Sequence, residues 1–439
     1  MPPLECRNPF SSRLASPDPI AFCSPLHSTQ LFNSKKNNWN RNQIRPNTSR
    51  PAQEARGKTY PAAAIPGRAK VAATAVPLSQ KASTMPSSEE KSSITLALEA
   101  RPKLDFYLKP FPPAINNYHE EMRYKCLERC VQFGMIPDTE KAKQNFLSFH
   151  LERLAARFYP HCTKEQLEIG VDHIYFIFVY DDMCDNQDCT DPQVEKHIRE
   201  IEERVWAILA GEPKLKDEEE KPLAKMMHFI LQRCAEFGRP EWIEQYRTVT
   251  KKYMEGVRWE RNVRNNRERL TLPKYDKIRG ATVAATPCMA LSVVFHCQAP
   301  QRVKKSCYVD ELFRSGSSVV AWVNDVYTVW KDIRDKTSDN VVLVLVNSRE
   351  LSWKEALNSS IQLVDEEMEN LLALERNVAG MIGGEDPGIV AIIKAVNDCV
   401  RGNYDWSIET PRYRDVKIQN GTGKDKLVVE QRDAKLSSK

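Results

Sequence analysis

The sequence has 439 residues, of which 41% are hydrophobic and 28% charged, and its formal net charge is +5. This charge is mild and no basic stripe is interleaved with aromatic residues, which excludes an obvious nucleic-acid-binding protein. No run of 18 apolar residues occurs, so the sequence predicts no transmembrane segment. The 12 cysteines form no C-x-x-C pair and no zinc-type cluster, which favours a reducing compartment.

The first part of the chain differs in composition from the rest. Residues 1–88 contain 12 Lys and Arg against 3 Asp and Glu, and 12 of the 27 prolines. Without helical or strand periodicity, such a segment is predicted to be disordered. A basic, Ser-rich and acid-poor composition is typical of an organelle transit peptide. We therefore expect residues 1–90 to direct the protein to the plastid, with a plain disordered tail and a cytoplasmic protein as the alternative.

Residues 100–416 are predicted to form one helical domain, followed by a disordered charged tail over 417–439. Thr163 and Gln166 form the pattern of a capping box before a long apolar segment. Residues 340–347 contain a β-branched run (VVLVLV) that composition alone favours as a strand. Because strand signals are isolated, the sequence predicts an all-α helical bundle around a central cavity. Helical periodicity covers 117–133, 139–156, 163–179, 192–209, 223–237, 241–267, 311–334, 353–376 and 387–405.

Two acidic motifs end or follow apolar stretches. The segment 176–185 (FIFVYDDMCD) places Asp181 and Asp185 one helical turn apart on the same face. Asn324, Thr328 and Asp332 lie four residues apart along one stripe of a second helix. All five offer oxygen ligands, which Mg²⁺ prefers. The alternatives are a solvated acidic helix end and an ordinary polar helix face.

The pair of motifs resembles the DDxx(D/E) and NDxx(S/T)xxx(E/D) motifs of class I terpene synthases of the microbial type, which have a single α domain. Three further segments resemble that family in the right order: 110–119 (PFPPAINNYH), 275–282 (YDKIRGAT) and 403–413 (NYDWSIETPRY). The resemblance covers residues 104–414. Together with a transit-like segment, it suggests the microbial terpene synthase-like group of nonseed plants.

The resemblance implies metal ions and a set of groups around a diphosphate. Three Mg²⁺ ions are expected, with Mn²⁺ as a possible substitute: two bridged by Asp181, with Asp185 as a further ligand, and one held by Asn324, Thr328 and Asp332. Arg279, the family's diphosphate-sensing arginine, would stabilise the leaving group together with Lys331, next to the triad, and Arg412.

The remaining family positions surround the reacting carbon chain. Tyr413 would hydrogen-bond near the diphosphate, and Thr282 fits the linker position after the sensing arginine. Val283 stands at the effector position, where glycine is usual, which leaves the helix break there open. The aromatic side chains expected to stabilise carbocations are Phe178, Tyr175, Trp322 and Trp406, with core packing as the alternative for each.

The sequence thus predicts a lyase that ionises an acyclic prenyl diphosphate, farnesyl diphosphate being favoured, and cyclises the carbocation to a terpene. A monoterpene synthase acting on geranyl diphosphate is the first alternative. A chain-elongating prenyltransferase normally has two aspartate-rich motifs, and this chain has the Asn/Thr/Asp triad instead. A catalytically inactive helical scaffold is the last alternative. The protein is expected to be a monomer or a homodimer.

Overall fold

The computed structural model describes residue 108 and residues 110–185, 189–212, 215, 220–266, 268–297, 306–335, 337–378 and 386–413. The predictions for residues 1–90 and 417–439 lie outside these described residues. Within them there is no β-strand, and thirteen α-helices follow one another along the chain. The prediction of an all-α protein is confirmed.

The helices are numbered in chain order, and a short 3₁₀ turn, Pro411–Tyr413, follows the last of them. Their bounds are α1 His119–Gln132, α2 Glu140–Leu147, α3 Leu151–Phe158, α4 Lys164–Asp185, α5 Pro192–Leu209, α6 Pro222–Phe237, α7 Pro240–Asn265, α8 Leu272–Thr282, α9 Ala285–His296, α10 Cys307–Asp335, α11 Val341–Arg349, α12 Trp353–Arg376 and α13 Pro387–Glu409.

Local sequence signals account for several helix starts. The predicted capping box before α4 is present: the Gln166 amide donates to Thr163 Oγ1 at 3.3 Å, and the Thr163 amide donates to Gln166 Oε1 at 3.0 Å. Asp191 caps α5 ahead of a proline at the first helical position. A side-chain acceptor before a residue without an N–H is a favourable helix start.

The predicted single helix over 139–156 is wrong, because the chain forms α2 and α3 with a break between them. His150 has a left-handed backbone conformation, with φ of 53°. The break turns α3 so that it packs against α13. There Arg157 donates to Glu409 at 2.8 Å and to Asp405 at 3.1 Å, which fixes the two helices side by side.

The VVLVLV run is helical, whereas its composition alone favours a strand. Asn340 caps α11 by accepting a hydrogen bond from the Val342 amide at 2.9 Å. All six apolar residues of the run, 341–346, are buried. Burial on every side of a helix overrides the modest β propensity of branched side chains.

A helix break separates α8 from α9, at the position that the sequence left open. Helix α8 ends at Thr282, Val283 follows it, and Ala284 has a positive φ of 59°. This conformation costs a non-glycine residue about 1–2 kcal/mol. Valine in place of glycine therefore does not prevent the break; the strained position is the alanine that follows.

Helix α9 lies at the centre of the bundle and packs against α4, α7, α10 and α13. The stretch Leu272–His296 spans α8 and α9. By its length and apolar composition alone, it could cross a membrane. However, 67% of its apolar window is buried inside the protein. It is thus arranged as a core segment, and it forms one wall of the cavity described next.

Candidate active site

A cavity opens between α3, α4, α7, α10, α13 and the α8–α9 break. It encloses about 1050 Å³, including the part open to solvent. Its deeper wall is apolar and aromatic, whereas its mouth is charged. The wall residues include Leu154, Phe158, Ile174, Ile177, Phe178, Val320 and Trp406, and the charged residues are Asp181, Asp185, Glu260, Arg279, Lys331, Asp332, Asp339 and Arg412.

The first acidic motif lies at the C-terminal end of α4, where the buried body of the helix reaches the mouth. Asp185 forms an ion pair with Arg264 of α7 at 2.8 Å, and Asp182 forms one with Arg412 at 3.1 Å. The Asp181 side chain makes no hydrogen bond or ion pair with another described residue. Burial, reinforced by the carboxylates of Asp185 and Asp182, raises the pKa of Asp181 to about 7. The motif therefore carries negative charge that its protein neighbours do not fully compensate.

The second motif lies along α10 and faces the same cavity. The Thr328 hydroxyl donates to Asp332 Oδ2 at 2.6 Å, and the Asn340 amide donates to the same oxygen at 2.8 Å. Burial raises the pKa of Asp332 to about 6. Asn324, Thr328 and Asp332 all line the cavity, as their four-residue spacing predicts.

Arg279 reaches the second motif from α8. Its guanidinium donates to Asn324 Oδ1 at 3.0 Å and to Asp325 Oδ1 at 2.6 Å. Asp325 is fully buried and also accepts hydrogen bonds from Tyr275 and from the Val341 amide. Asp325 thus has a structural role: it holds the arginine in place.

The C-terminal signature covers the mouth from the third side. The Arg412 guanidinium carbon lies 4.9 Å from the ring centre of Phe149 and 5.3 Å from that of Phe178. Tyr413 accepts a hydrogen bond from the Asn324 amide at 2.9 Å, and its ring lies 5.3 Å from that of Trp406. The short turn therefore contacts Asp182 in the first motif through Arg412, and Asn324 in the second motif through Tyr413.

The structure brings thirteen of the fifteen predicted site residues to the cavity. They are Phe178, Asp181, Asp185, Arg279, Thr282, Val283, Asn324, Thr328, Lys331, Asp332, Trp406, Arg412 and Tyr413. Whether they perform the roles that the resemblance implies stays a prediction.

Tyr175 and Trp322 are the two exceptions, and the assignment of Tyr175 to the cavity wall is wrong. Its hydroxyl donates to the Arg123 carbonyl at 3.3 Å, and its ring packs edge-on against Phe146 at 4.8 Å. Six residues separate it from Asp181, which places it about 120° away around α4. Trp322, the other aromatic candidate, is buried but is not among the residues that line the cavity.

Sequence reasoning missed several residues at the mouth. Glu260 of α7 and Asp339 share a hydrogen bond between their carboxyl groups, and burial raises the pKa of Glu260 well above its usual range. Arg264 contacts Asp185 and lies 3.8 Å from Asp339. Glu260 and Arg264 lie one helical turn apart, which is the pattern in the sequence that could have indicated them. Because α7 carries many other charged residues, this pattern does not stand out.

The donor set fits divalent cations rather than a closed protein metal site. Among the described residues, no group of three or more His, Cys, Asp and Glu side chains could hold a metal ion alone. The oxygen donors instead face each other across the mouth. Mg²⁺ binds in this way, through one or two carboxylates supplemented by water and substrate phosphates, and the uncompensated charge of Asp181 suits a cation.

Comparison with known proteins agrees with this geometry. Residues 172–370 match the family model "Terpene synthase family 2, C-terminal metal binding". Germacrene A synthase of Nostoc punctiforme is 24% identical over 70% of this chain and 94% of its own length. (+)-T-muurolol synthase ((2E,6E)-farnesyl diphosphate cyclizing) of Roseiflexus castenholzii is 24% identical over 69% of this chain and 92% of its own.

The fold is also that of solved enzymes. A linalool/nerolidol synthase from Streptomyces clavuligerus superposes with a TM-score of 0.61 at 20% identity, covering 68% of this chain and 98% of that one. The two facing motifs, the family-model match over residues 172–370 and the relatives together support a class I terpene synthase.

Proposed function

We propose that this terpene synthase uses Mg²⁺ to ionise farnesyl diphosphate and cyclises the resulting carbocation to a sesquiterpene, releasing diphosphate. The observation that carries the proposal is the division of one cavity into a mouth lined by two facing oxygen-donor motifs and an apolar, aromatic interior. The choice of farnesyl diphosphate is supported by a relative whose name states that it cyclises (2E,6E)-farnesyl diphosphate.

The mouth would bind the diphosphate. Three Mg²⁺ ions would act there as Lewis acids on the leaving group, two on the Asp181 side with Asp185 as a further ligand, and one on Asn324, Thr328 and Asp332. Arginine holds phosphate oxygens with its planar fork.

The cationic side chains at the mouth are already oriented by the protein. Arg279 is fixed by Asp325, and Arg412 lies between two aromatic rings. Lys331 of α10 lies 3.8 Å from Asp332. Fixed positive charge stabilises a leaving group without reorganisation at the moment of ionisation.

The interior would guide the carbocation. Phe178 and Trp406 pack edge to face at 5.9 Å and line the cavity together. Aromatic faces stabilise cations through their quadrupole and offer no nucleophile. The diphosphate, still bound at the mouth, would accept the final proton.

Geranyl diphosphate is the second candidate substrate, favoured by the transit-like composition of residues 1–88, because plastids would supply a C10 pool. The test is incubation of the protein with Mg²⁺ and geranyl, farnesyl or geranylgeranyl diphosphate, read by gas chromatography–mass spectrometry. A sesquiterpene from farnesyl diphosphate supports the proposal, and a product from another substrate alone reassigns the chain length. Elongated diphosphates formed only with isopentenyl diphosphate would overturn it in favour of a prenyltransferase, and absence of diphosphate release would indicate an inactive scaffold.

We also propose that residues 1–90 direct the protein to the plastid and that catalysis needs only the domain over 100–416. Deleting residues 1–88 should leave turnover intact, while fusing them to a fluorescent protein should direct it to plastids of plant cells. Loss of folding on deletion would show instead that the segment belongs to the domain.

A further inference from the structure

One polar atom in the cavity is not explained by diphosphate binding: the hydroxyl of Tyr253. Tyr253 lies on α7, is only 2% exposed and lines the cavity. Its hydroxyl is buried and has no hydrogen-bond partner among the described residues. Its ring packs edge-on against Tyr180 at 5.9 Å, so the side chain is held in position.

The other fully buried tyrosines differ in this respect. The largest fully buried side chains include six tyrosines, and the five besides Tyr253 have a hydrogen-bond partner. Tyr159 and Tyr175 donate to the carbonyls of Cys288 and Arg123. Tyr180 and Tyr275 donate to the carboxylates of Glu202 and Asp325. Tyr246 is hydrogen-bonded to His173. A buried hydroxyl without a partner costs about 1–3 kcal/mol, so its presence in a reaction cavity indicates a use.

Tyr253 also contributes to the wall of a second, open groove, which is lined by residues of α7, α8, α9 and α10. Polar side chains of that groove include Thr286 and Ser317, whose hydroxyls lie 2.6 Å apart. Tyr253 therefore lies between the reaction cavity and this groove.

The charge state of Tyr253 fits a hydrogen-bonding role. Burial, followed by the nearby carboxylate of Asp181, raises the pKa of Tyr253 well above its usual range. The hydroxyl consequently keeps its proton and can both donate and accept a hydrogen bond.

We infer that Tyr253 is a specificity-determining residue, and this inference rests on the proposed function. The Tyr253 hydroxyl holds one water molecule in the cavity. This water adds to a late carbocation and gives a cyclic terpene alcohol. A water needs polar partners to reside in an otherwise apolar cavity, and this hydroxyl supplies one.

The step is balanced by species already present. The water oxygen forms a C–O bond with the carbocation, and one of its protons passes to an oxygen of the released diphosphate. Tyr253 stays neutral throughout, because it only holds the water by a hydrogen bond. Where the water is absent, the same carbocation loses a proton to the diphosphate and a hydrocarbon results.

The test compares Tyr253→Phe with the full-length wild-type protein, using farnesyl diphosphate and Mg²⁺ in buffer made with ¹⁸O-water. The wild type should give a cyclic alcohol that carries the heavy oxygen. In Tyr253→Phe the ratio of cyclic alcohol to hydrocarbon should fall by at least about fivefold, the factor expected from loss of one ordinary hydrogen bond. Total turnover should change much less, because the hydroxyl acts after ionisation.

Tyr246→Phe is the matched control. Tyr246 lies seven residues earlier on the same face of α7, but its hydroxyl is bonded to His173 at 2.8 Å and it does not line the cavity. This variant should be less stable and keep the wild-type product ratio. Asp181→Ala controls for linear alcohol formed by simple hydrolysis, and Tyr253→Met provides a second variant without the hydroxyl.

The outcomes separate this inference from the proposed function. Only hydrocarbons from the wild type, or an unchanged ratio in both Tyr253 variants, would overturn the role of Tyr253 and leave the synthase assignment standing. Failure of the wild type to release diphosphate from any prenyl diphosphate would overturn both.

Discussion

The two acidic motifs face the same cavity but are held in different ways. At the end of α4, Asp182 and Asp185 depend on arginines from distant elements, and the Asp181 side chain has no partner among the described residues. Along α10, Asp332 receives hydrogen bonds from Thr328 and from Asn340. The first motif therefore contains a carboxylate that the described residues leave unpaired, whereas the second is already hydrogen-bonded within the protein.

This difference teaches that a ligand-binding residue can either reduce or increase the stability of its own fold. An unpaired carboxylate in a partly buried site destabilises the protein until a cation binds. A hydrogen-bonded carboxylate contributes to the packing around it. Mutations in the two motifs should then have the same effect on catalysis and different effects on stability.

The largest expected effect is loss of turnover in Asp181→Ala and in Asp332→Ala. Each substitution should lower turnover by at least about 10³-fold, because metal ligation supplies several kcal/mol of transition-state stabilisation. Diphosphate release with farnesyl diphosphate and Mg²⁺ measures it, and the helical circular dichroism should not change. A fully active Asp181→Ala protein would end the assignment of this motif to metal binding.

Urea unfolding of the same two metal-free variants at pH 8 tests the contrast itself. Asp181→Ala should be more stable than wild type by about 1 kcal/mol, because an uncompensated charge is removed. Asp332→Ala should be less stable than Asp181→Ala by about 1 kcal/mol, because two donors lose their acceptor although a buried charge is removed here as well. Equal shifts in both variants would remove the distinction between the motifs.

A smaller loss of activity is expected from Thr328→Val, about 10- to 100-fold. The substitution keeps the side-chain shape but removes the oxygen that would bind the metal and orient Asp332. Thr328→Ser, which retains the oxygen, should remain close to wild type. A Val variant as active as the Ser variant would show that the hydroxyl does not take part.

Asn340→Ala should lower the free energy of unfolding by about 2–3 kcal/mol. Asn340 is 1% exposed, caps α11, and donates to both the Asp325 carbonyl at 2.7 Å and the Asp332 carboxylate. Thr139→Ala removes an exposed cap from α2 and should cost only about 0.5–1 kcal/mol. Urea midpoints at one pH compare them, and similar losses would mean that Asn340 acts only as a cap.

The smallest effect concerns pH and comes from the body of α4 rather than its end. Burial lowers the pKa of His173 from 6.5 to about 3, so below pH 6.5 only the unfolded chain binds the proton. The contribution of neutral His173 to the free energy of unfolding is therefore fully present above pH 6.5 and decreases as the pH falls. At pH 5.5 the decrease amounts to about 1.4 kcal/mol.

His173→Gln should remove that share of the acid sensitivity, measured as the change in urea midpoint between pH 7.5 and 5.5. The raised pKa of Asp181 acts in the opposite direction, because the folded state then binds a proton more readily than the unfolded chain as pH falls. An unchanged pH dependence in the variant would place the acid sensitivity elsewhere in the protein.

Much of this arrangement was predictable because it follows from local periodicity. The i, i+4, i+8 spacing of Asn324, Thr328 and Asp332 fixes a single face on any helix, whatever packs against it. The same arithmetic would have excluded Tyr175, six residues before Asp181. The helix over VVLVLV, by contrast, depends on burial from all sides, which composition does not reveal.

The contacts between distant segments were beyond sequence reasoning. Nothing local distinguishes Tyr253 from the other buried tyrosines of the bundle, because the feature that matters is the absence of a partner across space. Arg264 is one of many charges on α7, and only the packing shows that it reaches Asp185. The break at Ala284 likewise falls on a residue that no propensity scale would select.

The turn Pro411–Tyr413 has a consequence for the order in which the enzyme is made. Its Arg412 pairs with a residue 230 positions earlier, and its Tyr413 with one 89 positions earlier. During translation, both helices that carry the motifs, α4 and α10, therefore leave the ribosome before the turn that covers them. The nascent chain thus exposes both motifs before the groups that cover the cavity mouth are made.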